Sequence, residues 1–164
     1  MKNTVLIIFL LAFFISCSKR IEKPNIVFVF ADQWRAQSMG YAGNPDVQTP
    51  HIDKLASEGV CFSNAISTSP VCTPYRAMLL TGKYVLKNGM FMNAVSLDPD
   101  SESFAKLLKR QGYQTAYIGK WHLDGNGRSS FIPEERRQGF DYWKVLECSH
   151  NYNNSKYWGN DDIR

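Results

Sequence analysis

A chain of 164 residues with 44% hydrophobic and 21% charged side chains has the size and composition of one globular domain, which excludes a disordered tail or a fibrous repeat. Its net charge of +4, from 19 basic and 15 acidic residues with no Lys/Arg block, argues against nucleic acid as a partner. The four cysteines, at 17, 61, 72 and 148, contain no Cys-x-x-Cys pair for zinc and are too few for a disulfide scaffold.

The first element is a leader. Lys2 precedes an unbroken apolar run from Val5 to Ile15, followed by Ser16, Cys17 and the basic Lys19-Arg20. This layout is that of a bacterial signal peptide, and the run is shorter than the roughly 20 apolar residues of a membrane-spanning helix. Phe14-Ile15-Ser16-Cys17 resembles a lipobox, so residues 1–16 are expected to be removed and Cys17 to become a lipidated amino terminus. An ordinary secretory signal with an incidental Cys17 is the alternative. Residues 17–24 then form a polar tether, and the compartment is outside the cytoplasm: the periplasm, or the outer membrane or cell surface of a bacterium, with membrane contact only through the anchor.

Beyond the tether, strand and helix patterns alternate. Asn25 to Ala31 is a continuous apolar run, the pattern of a strand buried on both faces, and it stops at Asp32-Gln33. Thr49 to Gly59 has a Thr cap, Pro50 at the first position and a Gly terminator, which predicts a helix. Val60 to Ile66 reads as a short strand. Pro74 to Thr81 reads as a helix that begins beside Cys72 and stops at Gly82. Ser101 to Gln111 places Phe104, Leu107 and Leu108 on one helical face, after a turn and cap at Asp98-Pro99-Asp100. Thr115 to Gly119 reads as a strand ending at Lys120. The alternation predicts an α/β fold with a mostly parallel sheet flanked by helices. In such sheets ligands gather beyond the carboxyl ends of the strands, where Asp32-Gln33 and Lys120-Trp121-His122 both fall.

Cys72 at a helix start sits where the macrodipole and free N–H groups favour negative charge. Arg76, four positions on, projects from the same face and is able to hold an anion beside it. The Cys-phosphatase loop wants Arg six residues after Cys, and that position is Met78. For an isolated Cys-x-x-x-Arg, a buried structural thiol beside a surface Arg is the plainer reading.

The surroundings change that balance. Cys72-Thr73-Pro74-Tyr75-Arg76 with Leu79-Leu80-Thr81-Gly82 resembles the first signature of the sulfatases, and Gly112-Tyr113-Gln114-Thr115 through Gly119-Lys120-Trp121-His122 resembles their second. Pro24-Asn25-Ile26 through Ala31-Asp32-Gln33, and Thr49-Pro50-His51-Ile52-Asp53-Lys54-Leu55-Ala56, are similar to the amino-terminal part of the same family. The resemblance implies an alkaline-phosphatase-like α/β fold, with residues 25–164 as the amino-terminal portion of a catalytic domain incomplete at its C-terminal end.

For the residues, the resemblance implies that a formylglycine-generating maturation enzyme converts Cys72 to an aldehyde, whose hydrate attacks the sulfur of a sulfate ester. Its second hydroxyl then loses a proton and expels sulfate. Asp32 and Gln33 match ligands of one hard divalent cation, Ca2+ ahead of Mg2+, which the modified Cys72 also contacts. Arg76 matches the residue that steadies the diol, Lys120 a sulfate contact, and His122 the acceptor of the diol proton. The implied substrates are sulfate esters, such as sulfated glycans or aryl sulfates. A catalytically silent fragment and a phosphate or phosphonate ester hydrolase are the alternatives.

Two further readings come from the residues themselves. His150, in the polar and aromatic loop Ser149 to Tyr157, is a candidate substrate contact against the plainer reading of a solvated loop histidine. Cys61 and Cys148 are either a disulfide or two buried thiols.

Overall fold

The computed structural model describes residues 22–151 and 153–160, so the leader and Cys17 lie outside the described residues. Two compact units divide the chain, one ending at Arg35 and the other running from Ala36. Among the described residues no helix is long and apolar enough to cross a membrane.

In the first unit, residues 22–31 carry no regular structure, and Ile26, Val27, Phe28 and Val29 are exposed. The strand expected over Asn25 to Ala31 is not formed: among the described residues this run belongs to no sheet. A strand exists only through its ladder, and apolar pattern alone supplies the face without the partner. Phe28 and Phe30 instead set their rings against each other at a tilt of 52°, 5.6 Å between centroids.

The second unit opens with two 3-10 turns, Ala36–Ser38 and Gly40–Ala42, followed by helix α1, Pro50–Glu58. Thr49 does not cap this helix in the expected way. Its hydroxyl accepts from Gly40 N at 2.8 Å and donates to Asp53 Oδ1 at 2.7 Å, while Asp53 Oδ1 also accepts from Tyr41 N at 2.9 Å. The cap thus stitches the preceding turn to the helix. A Cβ on Gly40 would stand 2.8 Å from Asp53 Oδ2, so any larger residue there would push the Asp53 carboxylate out of this network. Val60 to Ile66, expected as a strand, is irregular, with Val60, Phe62 and Ile66 exposed.

Helix α2, Cys72–Thr81, begins at Cys72 itself and ends on Gly82, whose φ of 64° is the left-handed cap a glycine takes most easily. A short helix α3, Val85–Asn88, follows, and then α4, Phe104–Arg110. The cap of α4 is Ser103, which accepts from Lys106 N at 3.1 Å and donates to Gln138 O at 2.7 Å. Asp98 forms the preceding turn instead, accepting from Asp100 N with its side chain and from Ser101 N with its carbonyl.

Strand β1, Ala116–Lys120, pairs in parallel with β2, Tyr142–Leu146, in the register Ala116 opposite Tyr142 to Lys120 opposite Leu146. The parallel pairing is therefore present, in a two-stranded sheet whose crossover contains the 3-10 turn Glu134–Arg136. Thr115 fixes where the pair starts: its carbonyl accepts from Asp141 N and Tyr142 N, and its hydroxyl donates to Gly139 O at 2.7 Å. Past the strand, Trp158 adds an antiparallel bridge to Val145.

The core gathers Ala77 and Leu80 of α2, Ala105 of α4, Trp121 and Leu123 after β1, and Phe140, Trp143 and Val145 around β2. Its centre is aromatic. Trp121 and Trp143 meet edge to face at 4.9 Å, and Tyr117 approaches Trp121 at 5.1 Å and Phe140 at 5.2 Å. Because Trp143 is fully buried and touches three of these rings, truncation leaves a void the neighbours cannot fill. Trp143→Ala is expected to lower the unfolding free energy by about 3–5 kcal/mol, measured from the urea midpoint at constant slope.

Candidate active site

Helix α2 presents its first residues to the end of β1. Cys72 is half-buried, and its Sγ lies 3.4 Å from the Nζ of Lys120. Thr73 behind it is fully buried and makes two bonds: its N–H donates to Asn93 Oδ1 at 3.0 Å, and its hydroxyl donates to the carbonyl of His122 at 2.8 Å. Asn93 thereby satisfies one of the amides that a helix start leaves without an intrahelical partner. The ammonium of Lys120 and the helix start together place positive potential at the Cys72 side chain.

Arg76 faces inward. It is 5% exposed, and its Nη1 donates to Tyr117 Oη at 3.0 Å and to the carbonyl of Lys120 at 2.6 Å. The Tyr117 hydroxyl donates to the same carbonyl at 2.7 Å. A guanidinium carries five N–H donors in a planar fork, which suits it to grip the strand end at two acceptors at once.

His122 has φ of 56°, in the left-handed region that a non-glycine residue rarely occupies. Such a conformation costs on the order of 1–3 kcal/mol and persists only when its surroundings impose it. Here Thr73 holds its carbonyl, Trp121 N donates to Leu146 O at 2.8 Å, and Leu97 N donates to Leu123 O at 2.8 Å. The backbone is thus clamped on both sides of the histidine.

The second unit therefore brings Cys72, Arg76, Lys120 and His122 together through direct contacts and shared backbone bonds. Asp32 and Gln33 lie in the other unit. Their grouping with Cys72 remains an expectation from the sequence. His150 is in an exposed loop, its Nδ1 3.5 Å from Arg128 Nη2. Cys61 and Cys148 are both free thiols, the first exposed and the second buried, so neither expected state holds for the pair.

Sequence reasoning did not find Thr73, Asn93 or Tyr117 as supports of the site. It also missed a buried carboxylate just beyond it. Glu147 follows β2 and is 2% exposed, and its Oε1 accepts from Asp124 N at 2.9 Å and Gly125 N at 3.2 Å. The Asp124-Gly125 dipeptide was the available signal, since Asp-Gly marks a turn whose amides need an acceptor. Asp124 is itself buried and pairs with Arg136, Nε to Oδ1 at 2.7 Å. Burial pushes the Glu147 carboxyl above its ordinary value, and the nearby Asp124 carboxylate pushes the same way, against the pull of the Asp124, Gly125 and Leu123 amides.

A family model described as Sulfatase matches residues 24–163. An ulvan-active sulfatase of Formosa agariphila is 59% identical over 140 residues, covering 85% of this chain and 27% of its own length. An N-acetylglucosamine-6-O-sulfatase of Bacteroides thetaiotaomicron is 39% identical over 140 residues, covering 84% and 23%. Among solved structures, an enzyme in complex with its substrate D-glucosamine-2-N,6-O-disulfate superposes with a TM-score of 0.74 at 36% identity, covering 87% of this chain and 28% of its own. The chain thus spans about a quarter of the length of these relatives.

Glu147 yields a pH dependence with a definite sign. A carboxyl raised in the fold gives stability that is fully present below the unfolded value, near the ordinary 4.5, and lost as pH rises through the folded value. Glu147→Gln is expected to flatten that decline while keeping an acceptor for Asp124 N and Gly125 N. Urea unfolding between pH 4.5 and 8 checks it, and an unchanged pH slope in the variant refutes it.

Proposed function

The chain belongs to the sulfatase family, and we propose that it carries the nucleophile side of a sulfuric ester hydrolase acting on sulfated saccharides. The observation that supports this reading most is the contact of Cys72 with Lys120, on a helix start bolted to the end of β1 by Arg76. A sulfate ester needs a nucleophile beside cations that take up the negative charge of its oxygens, and this arrangement offers both. The family membership and the sulfated substrate of the solved relative point to the same chemistry.

In this reading a maturation enzyme converts Cys72 to formylglycine, whose hydrate supplies one hydroxyl to attack sulfur and a second whose deprotonation expels sulfate. Lys120 holds the sulfate oxygens as they gain charge. Arg76 orients Lys120 through its carbonyl and steadies the side chain at position 72. His122 takes the diol proton, and the clamp on its backbone sets where the imidazole stands. Asp32 and Gln33 offer a carboxylate and an amide oxygen, a donor set that suits a hard divalent cation such as Ca2+, or Mg2+ in its place. They would be two of the roughly six to eight oxygens calcium takes. Such a cation supplies charge neutralisation at the sulfate. Among the described residues no group of three or more His, Cys, Asp or Glu side chains forms a metal cluster. Export under the amino-terminal leader and anchoring through a lipid on Cys17 complete the reading.

Mass spectrometry of the tryptic peptide bearing residue 72, after coexpression with a maturation enzyme, is expected to show the mass loss of thiol-to-aldehyde conversion. An unmodified thiol would sink the nucleophile assignment. Aryl sulfate hydrolysis by the full protein is expected to fall on the order of 10³-fold or more in Cys72→Ala and about 10²–10⁴-fold in His122→Ala, and to depend on added calcium. Faster turnover of the matching aryl phosphate would favour phosphorus over sulfur.

A further inference from the structure

A second binding region stands on the same sheet edge, built from three chain segments. Residues 128–129, 146–151, 154 and 156–158 line a cavity of about 680 Å³, inside the roughly 300–1,000 Å³ of small-ligand pockets. It is pinned rather than loosely assembled. Cys148 N donates to Arg128 O at 3.0 Å, Trp158 Nε1 donates to Ser129 O at 3.1 Å, and Val145 and Trp158 exchange both backbone bonds. Lys144 sits over the Tyr157 ring, 5.4 Å from Nζ to centroid, and braces that aromatic wall.

The exposed charges of the lining are of one sign. Arg128 and Lys156 are cationic, and neither forms an ion pair among the described residues. Arg128 Nη2 instead faces the weak acceptor Cys148 Sγ and the His150 ring, each at 3.5 Å. The one acid in the lining is Glu147, buried at the floor with Oε1 taken by Asp124 N and Gly125 N. Its Oε2 is buried as well, so this carboxyl shapes the floor and is not exposed to a ligand. Two cations that form no ion pair among the described residues, beside an aromatic wall, describe a site for a ring that bears an anion.

The cavity also has a fixed relation to Cys72. Leu146 lines it and is paired with Lys120, while Glu147 grips the turn two residues past His122. We propose that the cavity binds an acidic sugar adjoining the sulfate ester under attack, with Arg128 and Lys156 on its oxyanion, so that polyanionic saccharides are selected over singly charged ones. The oxyanion is a uronate carboxylate or a second sulfate. As a statement about substrate, it rests on the sulfatase reading of the Cys72 site.

The test measures binding, by calorimetry on the full protein carrying Cys72→Ala. The probes are sulfated disaccharides with a neutral, a uronate or a second sulfated neighbour, and a uronate disaccharide without sulfate. The acidic neighbours are expected to bind about ten-fold more tightly than the neutral one, and the tighter of the two identifies the oxyanion. That advantage should shrink with salt and vanish in Arg128→Gln with Lys156→Gln, while aryl sulfate turnover by the same pair of changes on the Cys72 background stays at its starting level. Lys156→Gln alone gives the comparison if the double variant does not fold. Equal binding of acidic and neutral probes, or a preference that survives the substitutions, overturns the proposal. Binding of the sulfate-free uronate probe reads the cavity separately: its presence without any aryl sulfate turnover would sink the sulfatase reading and leave the acidic-sugar site standing.

Discussion

One carbonyl organises the site. The Lys120 oxygen ends β1 and receives both the Arg76 guanidinium from α2 and the Tyr117 hydroxyl from its own strand. A strand's last carbonyl would otherwise be left to solvent or buried without a donor, and a buried guanidinium without acceptors would be costlier still. Each solves the other's problem. The result is that helix and strand cannot slide past one another without breaking a charge-assisted bond. The Cys72–Lys120 contact then follows from geometry that the fold has already fixed.

The same economy explains the strained histidine. His122 occupies a left-handed backbone conformation because Thr73, the neighbour of Cys72, claims its carbonyl, and because buried Trp121 and Leu123 hold the flanks. The aromatic cluster is thus not merely a core. Trp121 is packed edge to face between Tyr117 and Trp143, so displacing it would release the turn that aims His122. Stability and site geometry are carried by the same residues, and the cost of the strained turn is offset by burial a few ångströms away.

How much of this the sequence revealed depended on whether a pattern is local. Helices α1, α2 and α4 were readable because their stops and apolar faces lie within one short window, with Pro50, Gly59 and Gly82 as punctuation, although α2 starts at Cys72 ahead of the expected Pro74 and α4 at Phe104 after the expected Ser101. The strands were harder. β1 was expected one residue early, and β2 passed unnoticed although Trp143 and Val145 alternate with Tyr142 and Lys144 at period two. The run from Asn25 to Ala31 carried the strongest strand pattern of the chain and forms no strand, since pairing is a property of two segments. For the site, Cys72, Arg76, Lys120 and His122 were legible as residue types at motif spacing. The inward grip of Arg76, the Thr73 link and the Glu147 floor were not, because each joins positions more than 20 residues apart.

The direction of the strand pair has consequences of its own. Since β1 and β2 run parallel, the residues past both strands, Lys120 to Gly125 and Glu147 to His150, emerge at one edge. An antiparallel pair would have sent the second group to the opposite end. The Glu147 bond to the Asp124-Gly125 turn is possible only in the parallel arrangement, and it couples the turn after His122 to the rim of the cavity. The edge therefore works as one continuous surface, with the sulfur and its cations on one side and a cationic, aromatic recess on the other. A ligand with two anions would meet complementary charge at both, and that is a property of strand direction before it is a property of any single side chain.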